Sequence, residues 1–263
     1  MTEQTNLVLV ERVGHVLHMQ LNRPDKRNAA NVAMLQQLAL AFGELDRDPT
    51  LRVGLVSAVG EHFTGGLDLA DVGAHLGADG LRYVPEGGLD PWGVQSTPVR
   101  KPVVMAVNGT CLTLGIELIL AADVAVAADD TAFAQLEVSR GILPFGGATL
   151  RFAERSGWGN AMRYILTGDR FDATEALRIG LVQEVTPAGE HVSRALQIAE
   201  TIAAQAPLAV QATLANSRLA RSAGHDTAAA ALQPELMRLL ASKDATRGFE
   251  AFMTRQTAEF QGD

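Results

Sequence analysis

The sequence predicts an α/β body of stacked strand–strand–helix units followed by a helical C-terminal part. Two observations carry that expectation. Before Gly147, apolar strand-like runs, glycine turns and amphipathic helices recur in the same order at roughly fifty-residue intervals, without obvious sequence identity between copies. After Gly147 the chain is rich in Ala, Leu and Arg, in long stretches that read as helix. No low-complexity linker separates the two parts, and 263 residues suit one large domain or one domain with an appendage.

Residues 7–10 and 16–21 flank Gly14 and read as two strands joined by a tight turn. A polar loop over 22–28 follows. Apolar residues then recur at helical spacing through Leu35, Leu38, Ala39, Phe42 and Leu45, which predicts a helix from Val32 to about Asp46. Residues 53–57 form a short buried strand running into the glycine loop 60–66, with helical character from Leu67. Residues 73–98 hold six glycines and three prolines and have little periodicity, so they read as an irregular loop beside a site. Residues 102–107 are a strand, Asn108 and Gly109 a turn, 114–122 a helix and 124–127 another strand, followed by a loop over 133–147. Helices are expected over 148–156, 160–167, 173–179, 190–220 and 226–260.

Composition narrows the function classes. The net charge of −8 repels phosphate backbones, and no block of basic residues offsets it, so nucleic acid is not expected as a partner. The first six residues lack the basic start and apolar run of an export signal, and the most apolar region, 103–128, is broken by Asn108, Thr113, Glu117 and Asp123. A soluble cytoplasmic protein is expected, with no membrane partner. A single cysteine, Cys111, allows no intrachain disulfide and reads as a small buried hydrophobe. The six histidines have no metal-ligand spacing, so no metal is expected. Dinucleotide, P-loop and serine-elbow motifs are absent.

Two glycine loops and two carboxylates remain. The loops His62-Phe-Thr-Gly-Gly-Leu-Asp68 and Asn108-Gly-Thr-Cys-Leu-Thr-Leu-Gly-Ile-Glu117 each sit between a strand and a helix. Backbone N–H groups at such junctions lack intrahelical partners, and two together can grip one developing oxyanion; the alternative is that the glycines only make tight turns. Glu117 interrupts an apolar helix and Glu137 lies between apolar neighbours. Each is either a structural acid satisfied by backbone N–H groups or half of an acid/base pair whose mutual repulsion separates its pKa values.

At these loops the sequence resembles the enoyl-CoA hydratase/isomerase (crotonase) family. The matching segments are Leu21-Asn-Arg-Pro-Asp-Lys-Arg-Asn-Ala29, His62-Phe-Thr-Gly-Gly-Leu-Asp-Leu69, Lys101-Pro-Val-Val-Met-Ala-Val-Asn-Gly109, Glu117-Leu118 and Gln135-Leu-Glu137. They continue with Gly141-Ile-Leu-Pro-Phe-Gly-Gly147, Leu166-Thr-Gly-Asp-Arg170 with 176–182, and Gly248-Phe-Glu-Ala-Phe252, so the likeness spans nearly the whole chain.

The resemblance implies a crotonase-like spiral of ββα units, with residues 1–195 as the core carrying the site and 196–263 as a helical region for assembly into a trimer or hexamer. It implies an acyl-CoA thioester substrate, coenzyme A being part of that substrate, and no separate cofactor. The backbone N–H groups of Leu67 and Leu114 fall at the oxyanion hole, and Glu117 and Glu137 at the two hydratase glutamates. Substrate contacts fall on Lys26, Arg27, Gly66, Leu67, Asp68, Leu69 and Gly115, with Phe252 and Arg255 where a neighbouring subunit completes the nucleotide site. The implied reaction is hydration of a 2-enoyl-CoA. Alternatives are a Δ3,Δ2-enoyl-CoA isomerase and a non-catalytic acyl-CoA-binding protein. The sequence departs from the family where hydratases carry a small residue at 67, glycine at 113 and 114, and proline at 136.

Overall fold

The computed structural model of the chain describes residues 6–263; most of the N-terminal segment read above for an export signal lies outside them. A six-stranded sheet has the order β1 (Val8–Val13), β2 (Val16–Leu21), β3 (Val53–Ala58), β4 (Val103–Val107), β6 (Val124–Ala128) and β9 (Glu184–Thr186). β1 and β2 form the expected antiparallel hairpin, and all later pairings in this sheet are parallel. A smaller sheet joins β5 (Thr110–Leu112), β7 (Ala132–Ala134) and β8 (Phe171–Asp172).

The predicted repeat is a spiral. In successive turns the chain contributes a strand to the large sheet, crosses to the small one, and returns through a helix. β3 leads to Thr64, which bridges Cys111 of β5 in parallel, β4 leads to β5, and β6 leads to β7. Each turn stacks on the last, and the central parallel strands β3, β4 and β6, covered on both faces, are almost continuously apolar.

The large sheet separates two cores. On one face Leu17, Met19, Val56, Met105 and Ala127 pack with α1 (Val32–Arg47) and α3 (Leu114–Ala121). Alternate residues Val16, Val53, Leu55, Val104 and Val126 face α7 (His191–Ala203), which presents Ala195, Ala199 and Ala203 at helical spacing. The boundary placed between 195 and 196 therefore falls inside a continuous helix that belongs to the sheet. Small alanines let that helix lie close against branched strand residues.

The hairpin, the 32–46 helix and the irregular 73–98 segment occur where expected; only α2 (Leu69–Gly73) intrudes at its start. Four short strands, β5, β7, β8 and β9, were not anticipated, because two or three residues are too few to display an alternation. The remaining helices are α4 (Ala148–Ser156), α5 (Trp158–Thr167), α6 (Ala173–Arg178), α8 (Pro207–Ala223), α9 (His225–Leu240) and α10 (Lys243–Thr254). Among the described residues no helix is long and apolar enough to cross a membrane.

Candidate active site

Two successive turns of the spiral place equivalent backbone groups side by side. Phe63 and Thr64 donate their N–H groups to Asn108 O and Thr110 O, and Leu112 N–H donates to Thr64 O, so the two segments run as a short parallel ladder. Both then break in the left-handed region, Gly66 at φ +99° and Thr113 at φ +49°. Three residues past the bridged pair Thr64 and Cys111 stand Leu67 and Leu114, whose backbone N–H groups donate to nothing among the described residues.

The expectation that Leu67 opens a helix needs correction, because α2 begins at Leu69. The Leu67 N–H is freed instead by the end of the ladder. Glycine at 66 is required by its φ and by crowding, since a Cβ there would lie 2.4 Å from Thr113 Oγ1. Thr113 holds a conformation that glycine adopts far more readily, at a cost of roughly 1–3 kcal/mol.

Glu117 projects from the first turn of α3 and is 2% exposed. Its Oε1 accepts the Ala148 N–H at 3.1 Å, from the first residue of α4. Burial raises its pKa to about 7, and the charge of Glu137 pushes the same way, against the Ala148 N–H and the Arg151 guanidinium. Gly146 must lack a side chain here, because a Cβ would lie 2.7 Å from Glu117 Oε2.

Glu137 opens a 3-10 turn, Glu137–Arg140, within the segment read as a loop, with Leu136 in the preceding position. Its Oε1 accepts from Gln135 Nε2 at 3.0 Å, while Oε2 is buried with no partner among the described residues. Burial raises its pKa too, opposed by the Gln135 amide and the charge of Arg140.

Leu67, Leu69, Leu114, Glu117 and Glu137 all line one cavity of about 70 Å³. The sequence placed the irregular 73–98 segment beside a site, as found, without naming which of its residues form the wall. Leu81, Tyr83, Trp92, Val94 and Gln95 come from the irregular 73–98 segment, with Leu35, Ile142 and Phe145 from elsewhere. That segment is ordered around Asp90, which is 1% exposed and accepts from Tyr83 Oη and from the N–H groups of Trp92, Val94 and Gln95. Trp92 Nε1 then donates to Leu114 O at 3.0 Å, fastening the segment to the second glycine loop. Nothing in the sequence distinguishes Asp90 from Asp79 in the same glycine- and proline-rich stretch.

The other residues singled out are not on the cavity wall. Gly66 and Gly115 act by their lack of side chain; a Cβ at 115 would lie 2.6 Å from Thr64 Cγ2. Asp68 is ion-paired with Arg23 at 2.7 Å, which holds its carboxyl below the ordinary range. Lys26 and Arg27 are exposed on a turn whose Arg27 O accepts the Gly65 N–H, so they flank the first glycine loop. Phe252 is 80% exposed on α10, and Arg255 caps that helix. Cys111 is fully buried and its thiol pKa is raised by burial, as suits a core residue.

Comparison with known proteins places nearly the whole chain in one family. Residues 11–263 match the family described as enoyl-CoA hydratase/isomerase. The chain is 30% identical to the enoyl-CoA hydratase EchA19 of Mycobacterium tuberculosis, covering 96% of both. It is 31% identical to the 2,3-dehydroadipyl-CoA hydratase of Escherichia coli, over 97% of this chain and 98% of that one. Among solved structures, a probable enoyl-CoA hydratase/isomerase from Mycobacterium abscessus superposes with a TM-score of 0.95 at 53% identity, covering 98% of this chain and 99% of that one.

Proposed function

The chain belongs to the enoyl-CoA hydratase/isomerase family, and on that premise we propose that it catalyses the reversible addition of water across the double bond of a 2-enoyl-CoA thioester. The observation that carries this reading is the meeting of Glu117, Glu137 and the Leu67 and Leu114 loops on one cavity wall. A thioester carbonyl seated against the two free N–H groups gains enolate character as water oxygen adds to the β-carbon, and fixed dipoles in a dry site stabilise that charge as it develops.

Glu117 orients the water and takes one of its protons, and Glu137 delivers a proton to the α-carbon. In dehydration both transfers reverse. Two adjacent buried carboxylates suit this task because their repulsion disfavours double ionisation, so one holds a proton while the other accepts one. No cofactor is needed for this step. Isomerisation alone would require only one of the two carboxylates, and mere binding neither.

Lys26 and Arg27 would contact the coenzyme A nucleotide beside the first glycine loop. Phe249, Phe252 and Met253 on α10 and Leu236, Met237 and Leu240 on α9 are exposed in the single chain, and burying that surface supports assembly into a trimer or hexamer. Light scattering tests it, a monomer at micromolar concentration counting against it. The reaction itself is tested by offering the purified protein a panel of 2-enoyl- and 3-enoyl-CoA thioesters and weighing the products. A gain of one water from 2-enoyl substrates supports hydration, and migration of the double bond without mass change would replace it with isomerisation.

A further inference from the structure

A second cavity, of about 800 Å³, opens behind the site between α4 and α8, floored by the end of α3 and by residues 91–99. Its charge is unbalanced. Four arginines line it, Arg151 and Arg155 from α4 and Arg218 and Arg221 from α8, against only Asp123 and Glu154. Both acids are already engaged, Asp123 by Arg218 at 3.1 Å and Glu154 by Arg221. Arg151 and Arg155 are left without a carboxylate among the described residues. Arg155 Nη2 donates to Ala122 O at 2.7 Å, but its Nη1 is buried with no acceptor among the described residues, and Arg151 Nη1 makes one long contact, 3.4 Å, to Gly146 O.

A buried guanidinium donor without an acceptor is an unfavourable arrangement, and burial depresses the basicity of both side chains. Positions 151 and 155 are one helical turn apart, so the two guanidinium groups share a face of α4 and can converge on one ligand. Planar forks of this kind match the paired oxygens of phosphate and carboxylate.

We propose that the cleft between α4 and α8 is a binding site for a small oxyanion, phosphate or carboxylate, distinct from the acyl-thioester pocket. The anion supplies the acceptor that Arg155 Nη1 lacks and braces the C-terminal helices against the sheet-bearing core. Trp92 lines both cavities, so its indole stands between the anion and the reacting centre.

The experiment is calorimetric titration of the purified full-length chain with inorganic phosphate and, separately, with succinate, in a buffer free of either. Saturable binding of one anion per chain is expected, and the tighter of the two probes identifies the preferred class. Arg155→Met should weaken binding by about tenfold or more, the usual scale for losing one charge-assisted partner. Ser217→Phe, which narrows the cleft from α8 and leaves all four arginines in the sequence, should also weaken binding and keeps the test open if the arginine variant does not fold. Arg163→Met, on α5 over the Tyr164 ring, should bind as the parent does. Absence of saturable binding at tens of millimolar, or parental binding in both cleft variants, would overturn the proposal. So would competitive displacement of phosphate by coenzyme A, which would assign the site to the substrate's own phosphates.

Discussion

Glu117 and Glu137 face the same cavity from two kinds of backbone. Glu117 stands on a regular helix, with one oxygen tied to the start of α4. Glu137 stands on a 3-10 turn, with one oxygen on a glutamine amide and the other buried without a partner among the described residues. The first is a clamped carboxylate whose pKa, raised to about 7 by burial, lets it hold or release a proton near neutrality. The second has a free acceptor and a nearby cation, Arg140, opposing the effect of its burial. One pair thus contains a fixed group and an open one, and the difference separates orienting a reactant from exchanging a proton with it.

The largest expected effect breaks the comparison at its open member. Glu137→Gln should lower hydratase turnover by ~10²–10⁴ with fold and thioester binding retained, the scale of a lost acid/base. Near-parental turnover by the folded variant would remove Glu137 from the chemistry. Glu117→Gln should also slow hydration, yet spare α-proton exchange, measured by deuterium uptake into the α-carbon; equal loss of both activities would erase the distinction between the two glutamates.

Next in size is the oxyanion contact that serves both. Leu114→Pro deletes the N–H at the first helical position, where proline is tolerated, and should cost ~10²–10³ in turnover, whereas Leu114→Gly keeps the donor and should stay active. Equal rates in the two folded variants would dismiss that donor. Because proline also restricts Thr113, a structure of the proline variant with acyl-CoA separates donor loss from loop displacement.

The clamped member carries a stability signature. The Glu117 pKa is raised from 4.5 unfolded to about 7 folded, so the native state holds the extra proton and stability falls as pH rises between those values. Glu117→Gln should flatten that dependence and, at pH 8, stabilise the fold by on the order of 3 kcal/mol. Denaturant melts at pH 5 and pH 8 measure this, and an unchanged slope would mean Glu117 is not desolvated. The smallest effect concerns the strained loop. Thr113→Gly should stabilise by about 1 kcal/mol, backbone strain relieved exceeding the added chain entropy; a lower melting temperature would show that Thr113 packing outweighs its strain.

Much of this was legible in the residues. The hairpin, the helix from Val32, the recurring units and the isolation of Glu117 among apolar neighbours follow from periodicity and from the cost of burying charge. Both glutamates and both glycine loops were identifiable, and they do share a cavity. Asp68 reads as a substrate contact but is occupied by Arg23, a partner 45 positions away that no local pattern reveals. The helix start at Leu67 was misplaced by two residues because the ladder and bridge that hold residues 63–68 pair with segments far away in the chain, which local residue character does not reveal.

Local order and chemistry were therefore determined by the sequence itself, since hydrophobic period, turn residues and lone charges act over a few neighbouring positions. Only the tertiary structure decided which residues of the irregular 73–98 stretch close the cavity, which carboxylate oxygen is left open, and where arginines from α4 and α8 converge. Those outcomes depend on contacts between residues far apart in the chain, whose registry arises when successive turns of the spiral stack and exclude water.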